Sequence, residues 1–283
     1  MTQRTAWLNG EYLPLAEAKV PVLDRGFLFA DGVYEVTAVL DGRLVDSAAH
    51  LARLERSAGA IGIPLPVDAA GIAAVERELI ARDSITRGLI YLQLTRGGTD
   101  DRDFLPRAGM RPTLLMFTQA RDFLANPAVE AGMSVISWPE LRWTRRDIKS
   151  VALLGQVMAK QAAAAAGAQE AWLVEDGFVT EGASSNAMIV DEAGTLVTRS
   201  LSNALLHGCT RAAVLALAAQ YGVPVAERAF TIAEALAARE AMITSASSFV
   251  LPVTRIDGQV IADGRPGPIT RRLRELYIAA ARA

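Results

Sequence analysis

The sequence predicts a mixed α/β protein of two domains, and three observations carry that prediction. Short strand-like and helix-like patterns alternate along all 283 residues. That length suffices for one large domain or two of ordinary size. A polar, proline-bearing stretch, "RDFLANPAVEAG", interrupts the alternation and reads as a connection. The expected division is a small α+β N-terminal domain over residues 1–120, a connection over 121–126 and a larger mixed domain over 127–283.

"AWLNGEYLP" sets an Asn-Gly pair between apolar residues, a strong hairpin signal, and "VYEVTAVLDGRLVD" repeats the device with Asp41-Gly42. "SAAHLARLERSAGAIG" and "AAGIAAVERELIARD" have helical periodicity, and "LIYLQLTRG" and "PTLLMFTQA" read as strands. Beyond the connection, "MSVISW" is a strand and "SVALLGQVMAKQAAAAAG" a long helix. "EAWLVEDGFVTEG" and "NAMIVDEAGTLVT" are hairpins, and "CTRAAVLALAAQYG" is a helix. "EAMITSASS" is a strand running into a loop, and "VLPVTRIDGQVI" is a last hairpin. "PITRRLRELYIAAARA" closes the sequence as an amphipathic helix.

Composition excludes several classes. The chain is 51% hydrophobic with a mean hydropathy of +0.23, enough for a large core, yet much of that is alanine, which favours helix over membrane span. It has no apolar run of about 18 residues and no apolar N-terminal core, so neither a membrane helix nor a signal peptide is expected. The lone Cys209 agrees with a reducing, cytoplasmic setting. A net charge of −2 with interspersed signs gives no nucleic-acid surface. One cysteine with His50 and His207 does not make the usual zinc site, so no metal is expected. Two histidines also argue against a Ser-His-Asp triad, and no GxGxxG or GxxxxGK[ST] fingerprint occurs.

One residue type is conspicuous by scarcity. Of 29 basic residues only Lys19, Lys149 and Lys160 are lysine, so arginine is the default cation. Lys149 lies in "DIKSVALLGQVMAK", expected at the start of the long helix, where the dipole disfavours a surface cation. A lysine there is ordinarily solvated. Here Ile148, Val151, Leu153 and Leu154 surround it, and a desolvated lysine, unlike arginine, can act as a nucleophilic amine. That points to Schiff-base chemistry, most often with pyridoxal phosphate (PLP). "LHGCTRAAV" offers a phosphate site, because Gly208, Cys209 and Thr210 sit where a loop enters a helix; Thr210 as a simple helix cap is the plainer reading. Arg53 in "HLARL" could add a clamp or lie on a helix surface. In "VTEGASSN", Glu181 precedes a small-residue turn and could face a ring nitrogen.

In their order and spacing, "DRGFLFADGVYE", "HLARL", "TRG", "DIKSVALLGQVMAK", "TEGASSN", "HGCTR" and "ITSASS" resemble the fold-type IV PLP enzymes, and most closely the D-amino acid aminotransferases. The resemblance covers nearly the whole chain. It implies a small α+β domain and a larger barrel-like α/β domain. It implies that Lys149 forms the Schiff base and shuttles the proton between substrate Cα and cofactor C4′, and that Glu181 pairs with the pyridine nitrogen. Arg53, Thr210 and the Cys209 amide would hold the phosphate, helped by Ser245, Ala246 and Ser247. Leu206 would pack beneath the ring, and Tyr34 would line the substrate pocket. The resemblance also implies a homodimer whose site is completed by the partner subunit.

The chain departs from this pattern in one place. The D-amino acid enzymes carry an Arg-x-His pair after "TRG" that grips the substrate carboxylate. Here "TRGGTDDRDFLP" puts Asp101 and Asp103 at those two positions, with Arg102 between them. Arg102 is expected to face the substrate with both aspartates outward, and Arg96, at the end of a strand, is the alternative donor. The expected activity is transfer of the amino group of a D-amino acid such as D-alanine to a 2-oxo acid such as 2-oxoglutarate. Alternatives are branched-chain L-amino acid or (R)-amine transamination, aminodeoxychorismate lysis, or non-catalytic binding of PLP or another small molecule.

Overall fold

The computed structural model describes residues 4–283. The chain divides into two compact units, one of residues 1–122 with 148–152, the other of 123–147 with 153–283.

The first unit is a sheet covered by two helices. Strands β1 (Thr5–Leu8) and β2 (Glu11–Pro14) form a hairpin through Asn9 and Gly10, both at positive φ (51° and 107°). Such left-handed pairs match the twist of the flanking strands. Helix α1 (Arg25–Phe29) follows, capped by Asp24, whose side chain accepts from the Gly26 amide. Strand β3 (Gly32–Leu40) turns through Asp41 and Gly42 into β4 (Arg43–Leu44). Helices α2 (Ser47–Ala60) and α3 (Ala69–Asp83) lead to β5 (Arg87–Thr95) and β6 (Thr113–Ala120). Among the described residues these strands form one antiparallel sheet, ordered β2-β1-β6-β5-β3-β4.

Alternation along the strands separates two faces. Val33, Val39, Ile90, Leu92, Leu94, Leu114 and Met116 pack against Leu51, Leu54 and Ala58 of α2 and Ile72, Leu79 and Ile80 of α3. The opposite face carries an aromatic row: Tyr34 stacks on Tyr91 at 5.9 Å between centroids, and Tyr91 meets Phe117 at 5.1 Å.

The same alternation puts Glu35 and Thr37 on the helix side, where a buried carboxylate needs partners. Glu35 accepts from Arg53 Nε and Nη2, each at 2.7 Å, and its Oε2 lies 2.7 Å from His50 Nδ1. Burial pushes its carboxyl up, but Arg53 and His50 outweigh that and bring it down to about 2. Glu76 of α3, facing Thr37 and Ser47 across 3.5 Å each, has weaker support. Burial raises it to about 7, against the pull of His50 and with a push from Glu35. A carboxyl whose folded pKa lies above its unfolded value is least costly while protonated in both states. Its cost grows as pH rises from about 4.5 towards 7 and is constant above. Glu76→Gln should therefore leave stability nearly unchanged at pH 4.5 and raise it by about 2–3 kcal/mol at pH 8, read by denaturant unfolding. An equal effect at both pH values would contradict this account of Glu76.

The second unit is built on a curled sheet. In chain order it comprises α4 (Ala128–Ala131), β7 (Met133–Pro139), α5 (Leu154–Ala165), β8 (Glu170–Glu175), β9 (Phe178–Gly182), β10 (Asn186–Val190), β11 (Leu196–Thr198), α6 (Cys209–Gln220), β12 (Val225–Glu227), α7 (Ile232–Ala237), β13 (Glu240–Ser245), β14 (Phe249–Ile256), β15 (Gln259–Val260) and α8 (Pro268–Arg282). The strand order is β12-β11-β10-β13-β14-β7-β8-β9, with β15 paired to β14. Edge strand β9 and inner strand β10 stand five places apart, about 24 Å in a flat sheet. Yet only residues 183–185 join them, a reach of about 14 Å. The sheet must therefore curl back on itself, and the Gly182 amide bonds the Ser185 carbonyl at 2.7 Å across the join.

One expected boundary moves. The long helix begins at Leu154, not near Ser150. Residues 149–151 run extended against β3: Tyr34 N donates to Lys149 O at 3.0 Å, and Val151 N donates to Gly32 O at 3.0 Å. Backbone groups engaged in that way are not available to a helix. Among the described residues no helix is long and apolar enough to cross a membrane.

Candidate active site

Lys149 lies on the extended segment before α5, so the helix-dipole argument from the sequence does not reach it. What isolates its charge is the aromatic face of the first unit. Ile148 is buried in the core beside it, the Lys149 amide donates to Ser57 Oγ at 3.3 Å, and Nζ sits 4.1 Å from the centre of the Tyr34 ring. Among the described residues Lys149 has no carboxylate partner, whereas Lys160 pairs with Glu170 at 3.6 Å. An amine, unlike a guanidinium, is a group capable of nucleophilic use.

Arg53 is buried under the sheet and forks Glu35; it is not a helical surface residue. Arg96, the alternative donor, is engaged within the protein. Its guanidinium is committed to Asp31 Oδ1 and Oδ2 and to the carbonyls of Ile61 and Gly62. These four bonds to the protein's own acceptors brace the loop after α2. Asp101, Arg102 and Asp103 are all exposed, and Arg102 lies over the rings of Phe29 and Phe104 at 4.9 and 5.0 Å. Arg25 anchors this loop through bonds to the Asp103 and Phe104 carbonyls.

In the second unit Glu181 ends β9 and is buried. Among the described residues Oε1 accepts from Arg142 Nη1 at 2.7 Å and from the Leu206 amide at 3.0 Å, and Oε2 accepts from Asn186 Nδ2 at 3.0 Å. A carboxylate offers about four acceptor sites, so one on Oε2 can still take an N–H. Arg142 divides its charge, because it also forks Glu140. Burial therefore raises the Glu181 carboxyl despite Arg142, and the nearby Glu140 adds to the rise. Arg142 itself is driven further up, since Glu140 and Glu181 outweigh its desolvation. A buried carboxylate short of positive charge fits a protonated ring nitrogen. Asn186 also bonds the Leu206 carbonyl, which fixes Leu206 beside Glu181. A side chain at Gly208 would meet Asn186 Oδ1 at 2.0 Å, so the approach to α6 stays bare.

Cys209 and Thr210 open α6, whose first amides have no intrahelical acceptor. Among the described residues Thr210 Oγ1 is buried without a hydrogen-bond partner, and so is Thr244 Oγ1 near the end of β13. Thr210 is thus not a helix cap. After Thr244 the chain presents Ser245, whose Oγ lies 2.6 Å from Ser248 Oγ and 3.3 Å from Ser247 Oγ. Unsatisfied hydroxyls beside a helix N-terminus fit a phosphate. Sequence reasoning passed over Arg142, Asn186, Thr244 and the Glu35–His50 pair. Asn186 stood inside the "TEGASSN" motif and Glu35 inside "DGVYE", but Arg142 is one arginine among many.

Comparison with known proteins identifies the family. A sequence model of the family "Amino-transferase class IV" matches residues 32–256. A D-alanine aminotransferase of Staphylococcus aureus (strain MSSA476) is 37% identical over 269 residues, 95% of each chain. One from Bacillus licheniformis is 40% identical over 267 residues, 94% of this chain and 93% of that one. In structure, the branched-chain aminotransferase of the thermophilic archaeon Thermoproteus uzoniensis, solved with norvaline, superposes with a TM-score of 0.88 at 27% identity, over 99% of this chain and 95% of the other. On these matches the chain belongs to the class IV aminotransferases, PLP enzymes that move an amino group between an amino acid and a 2-oxo acid.

Proposed function

We propose that the protein transaminates D-amino acids, D-alanine among them, with a 2-oxo acid such as 2-oxoglutarate as acceptor. The observation that carries this reading is the pair of D-alanine aminotransferase relatives, 37% and 40% identical across nearly the full chain. Bound PLP supplies an aldehyde that takes up the amino group and a ring that withdraws electrons from the substrate Cα. Lys149 Nζ would hold the cofactor and carry the proton between substrate Cα and C4′. Glu181 Oε2 holds the proton on the ring nitrogen, with Arg142, Asn186 and the Leu206 amide keeping the carboxylate in place. Thr210, the Cys209 amide, Arg53 and the loop of Ser245, Ala246 and Ser247 hold the phosphate, and Leu206 packs against the ring. Tyr34 contacts the Lys149 ammonium and orients the substrate. A panel of single-turnover reactions tests the activity: the PLP-loaded protein is mixed with D-amino acids, L-amino acids or (R)-amines, and loss of the cofactor's visible band is followed. D-alanine should react fastest; faster reaction with L-leucine or an (R)-amine would overturn the assignment.

The substrate carboxylate needs a cationic or multi-donor partner, because burying it unpaired costs several kcal/mol. With Arg96 committed elsewhere, Arg102 is the cation assigned to it. Arg102→Ala should raise KM for D-alanine about 10- to 100-fold, the scale of one lost charge-assisted bond, and leave any (R)-amine turnover nearly unchanged. Equal losses with both substrates would remove Arg102 from that role. We also infer a cytoplasmic homodimer whose second copy completes the site. Phe27, Phe104 and Leu105, each more than 70% exposed, are apolar surface that the second copy of the proposed dimer would cover.

A further inference from the structure

The loop that closes the β13–β14 hairpin runs against the preferences of its own residues. Ser245 pairs with Phe249 across the hairpin, leaving Ala246, Ser247 and Ser248 as a three-residue loop. Loops of this length end on a residue in the left-handed region, usually glycine. Here the left-handed residue is instead the first of the returning strand, Phe249, at φ 62° and fully buried. A bulky residue seldom holds this conformation, which persists only where neighbouring contacts over-determine it. Part of the restraint is the ring, packed on Phe123 and Tyr277 at centroid distances of 4.6 and 5.0 Å. The rest comes from Arg274 of α8. Its Nη1 donates to the carbonyls on either side of Phe249, Ser248 O at 2.9 Å and Val250 O at 2.8 Å, and Nη2 donates to Phe123 O at 3.1 Å.

Arg274 is itself unusual. It is 6% exposed, its hydrogen-bond acceptors among the described residues are all carbonyls, and burial lowers its pKa. A buried cation answered only by carbonyl dipoles is costly unless an anion lies near. The loop it fastens is the one that displays the Ser245, Ser247 and Ser248 hydroxyls, next to the unpartnered Thr244 Oγ1.

We propose that Arg274 is a positioning residue for the cofactor phosphate: its fork on the Ser248 and Val250 carbonyls holds Phe249 left-handed and so sets the hydroxyl rim that receives the anion. This rests on the assignment of the loop to the phosphate. Arg274 acts through the two carbonyls and contributes positive charge from behind the rim.

The test uses the full-length apo protein, titrated with PLP and with pyridoxal, which has no phosphate. Wild-type protein should prefer PLP. Arg274→Gln should weaken PLP binding about 10- to 100-fold while changing pyridoxal affinity less than about twofold. It should also abolish the rise in apo-protein Tm produced by inorganic phosphate. Arg274→Lys, which keeps the charge but not the fork, should fall between, and it carries the same comparison should the Gln variant not fold. Equal weakening of PLP and pyridoxal, or no change in either, would overturn the proposal while leaving the phosphate assignment standing. A wild-type protein with no preference for PLP over pyridoxal would overturn both.

Discussion

Lys149→Arg should abolish transamination and leave the fold in place. Arginine keeps the positive charge and can still lie over Tyr34, so the ring contact at 4.1 Å has a substitute. The extended pairing of Lys149 with Tyr34 uses backbone atoms alone and is unaffected. What arginine lacks is a nitrogen that deprotonates near neutral pH, so it can neither bond the cofactor aldehyde nor take the substrate Cα proton. The expected loss is about 10⁴-fold or more, the upper range for removing a proton-transfer group. The change should shift Tm little and should remove the visible band of the covalently held cofactor. Turnover within about tenfold of wild type, measured on purified protein with equal cofactor content, would remove Lys149 from the chemistry.

Glu181→Gln should lower the rate of Cα proton removal by about a hundredfold or more, the scale of removing one fixed electrostatic partner from a buried site. A neutral amide cannot hold the ring nitrogen protonated, so electrons released at Cα find a weaker sink. Cofactor retention should change less, because the proposed phosphate partners, in α2, α6 and the β13–β14 loop, do not include Glu181. Arg142 keeps its fork to Glu140, so the variant does not leave a bare buried cation. A deuterium isotope effect at Cα should grow in the variant as proton removal becomes rate-limiting. An unchanged single-turnover rate would contradict the role, and complete loss of PLP would make Glu181 a structural residue.

Much of the architecture could be read from local chemistry. Asn9-Gly10 and Asp41-Gly42 form the turns they announce, because the positive φ they require is set by two adjacent residues. The seven motifs also marked the Lys149, Glu181, Thr210 and Ser245 regions to which the proposed cofactor roles are assigned. The start of α5 was not legible, because what keeps residues 149–151 extended is pairing with β3, more than a hundred residues earlier. Arg96, Arg142 and Arg274 look alike in a chain that uses arginine as its default cation. Only their partners separate a loop brace, a partner of Glu181 and a clamp on a strained hairpin. Glu35 and Thr37 could have been placed from alternation along β3, but their burial depends on α2 and α3 packing over that face.

The preference for D-amino acids is tested most directly by the configuration of a product. The PLP-loaded protein is incubated with D-alanine and 2-oxoglutarate, and the glutamate formed is resolved by chiral chromatography. D-glutamate, with pyruvate released in equal amount, is the expected result. L-glutamate, or no glutamate from D-alanine while L-leucine supports its formation, would contradict the reading.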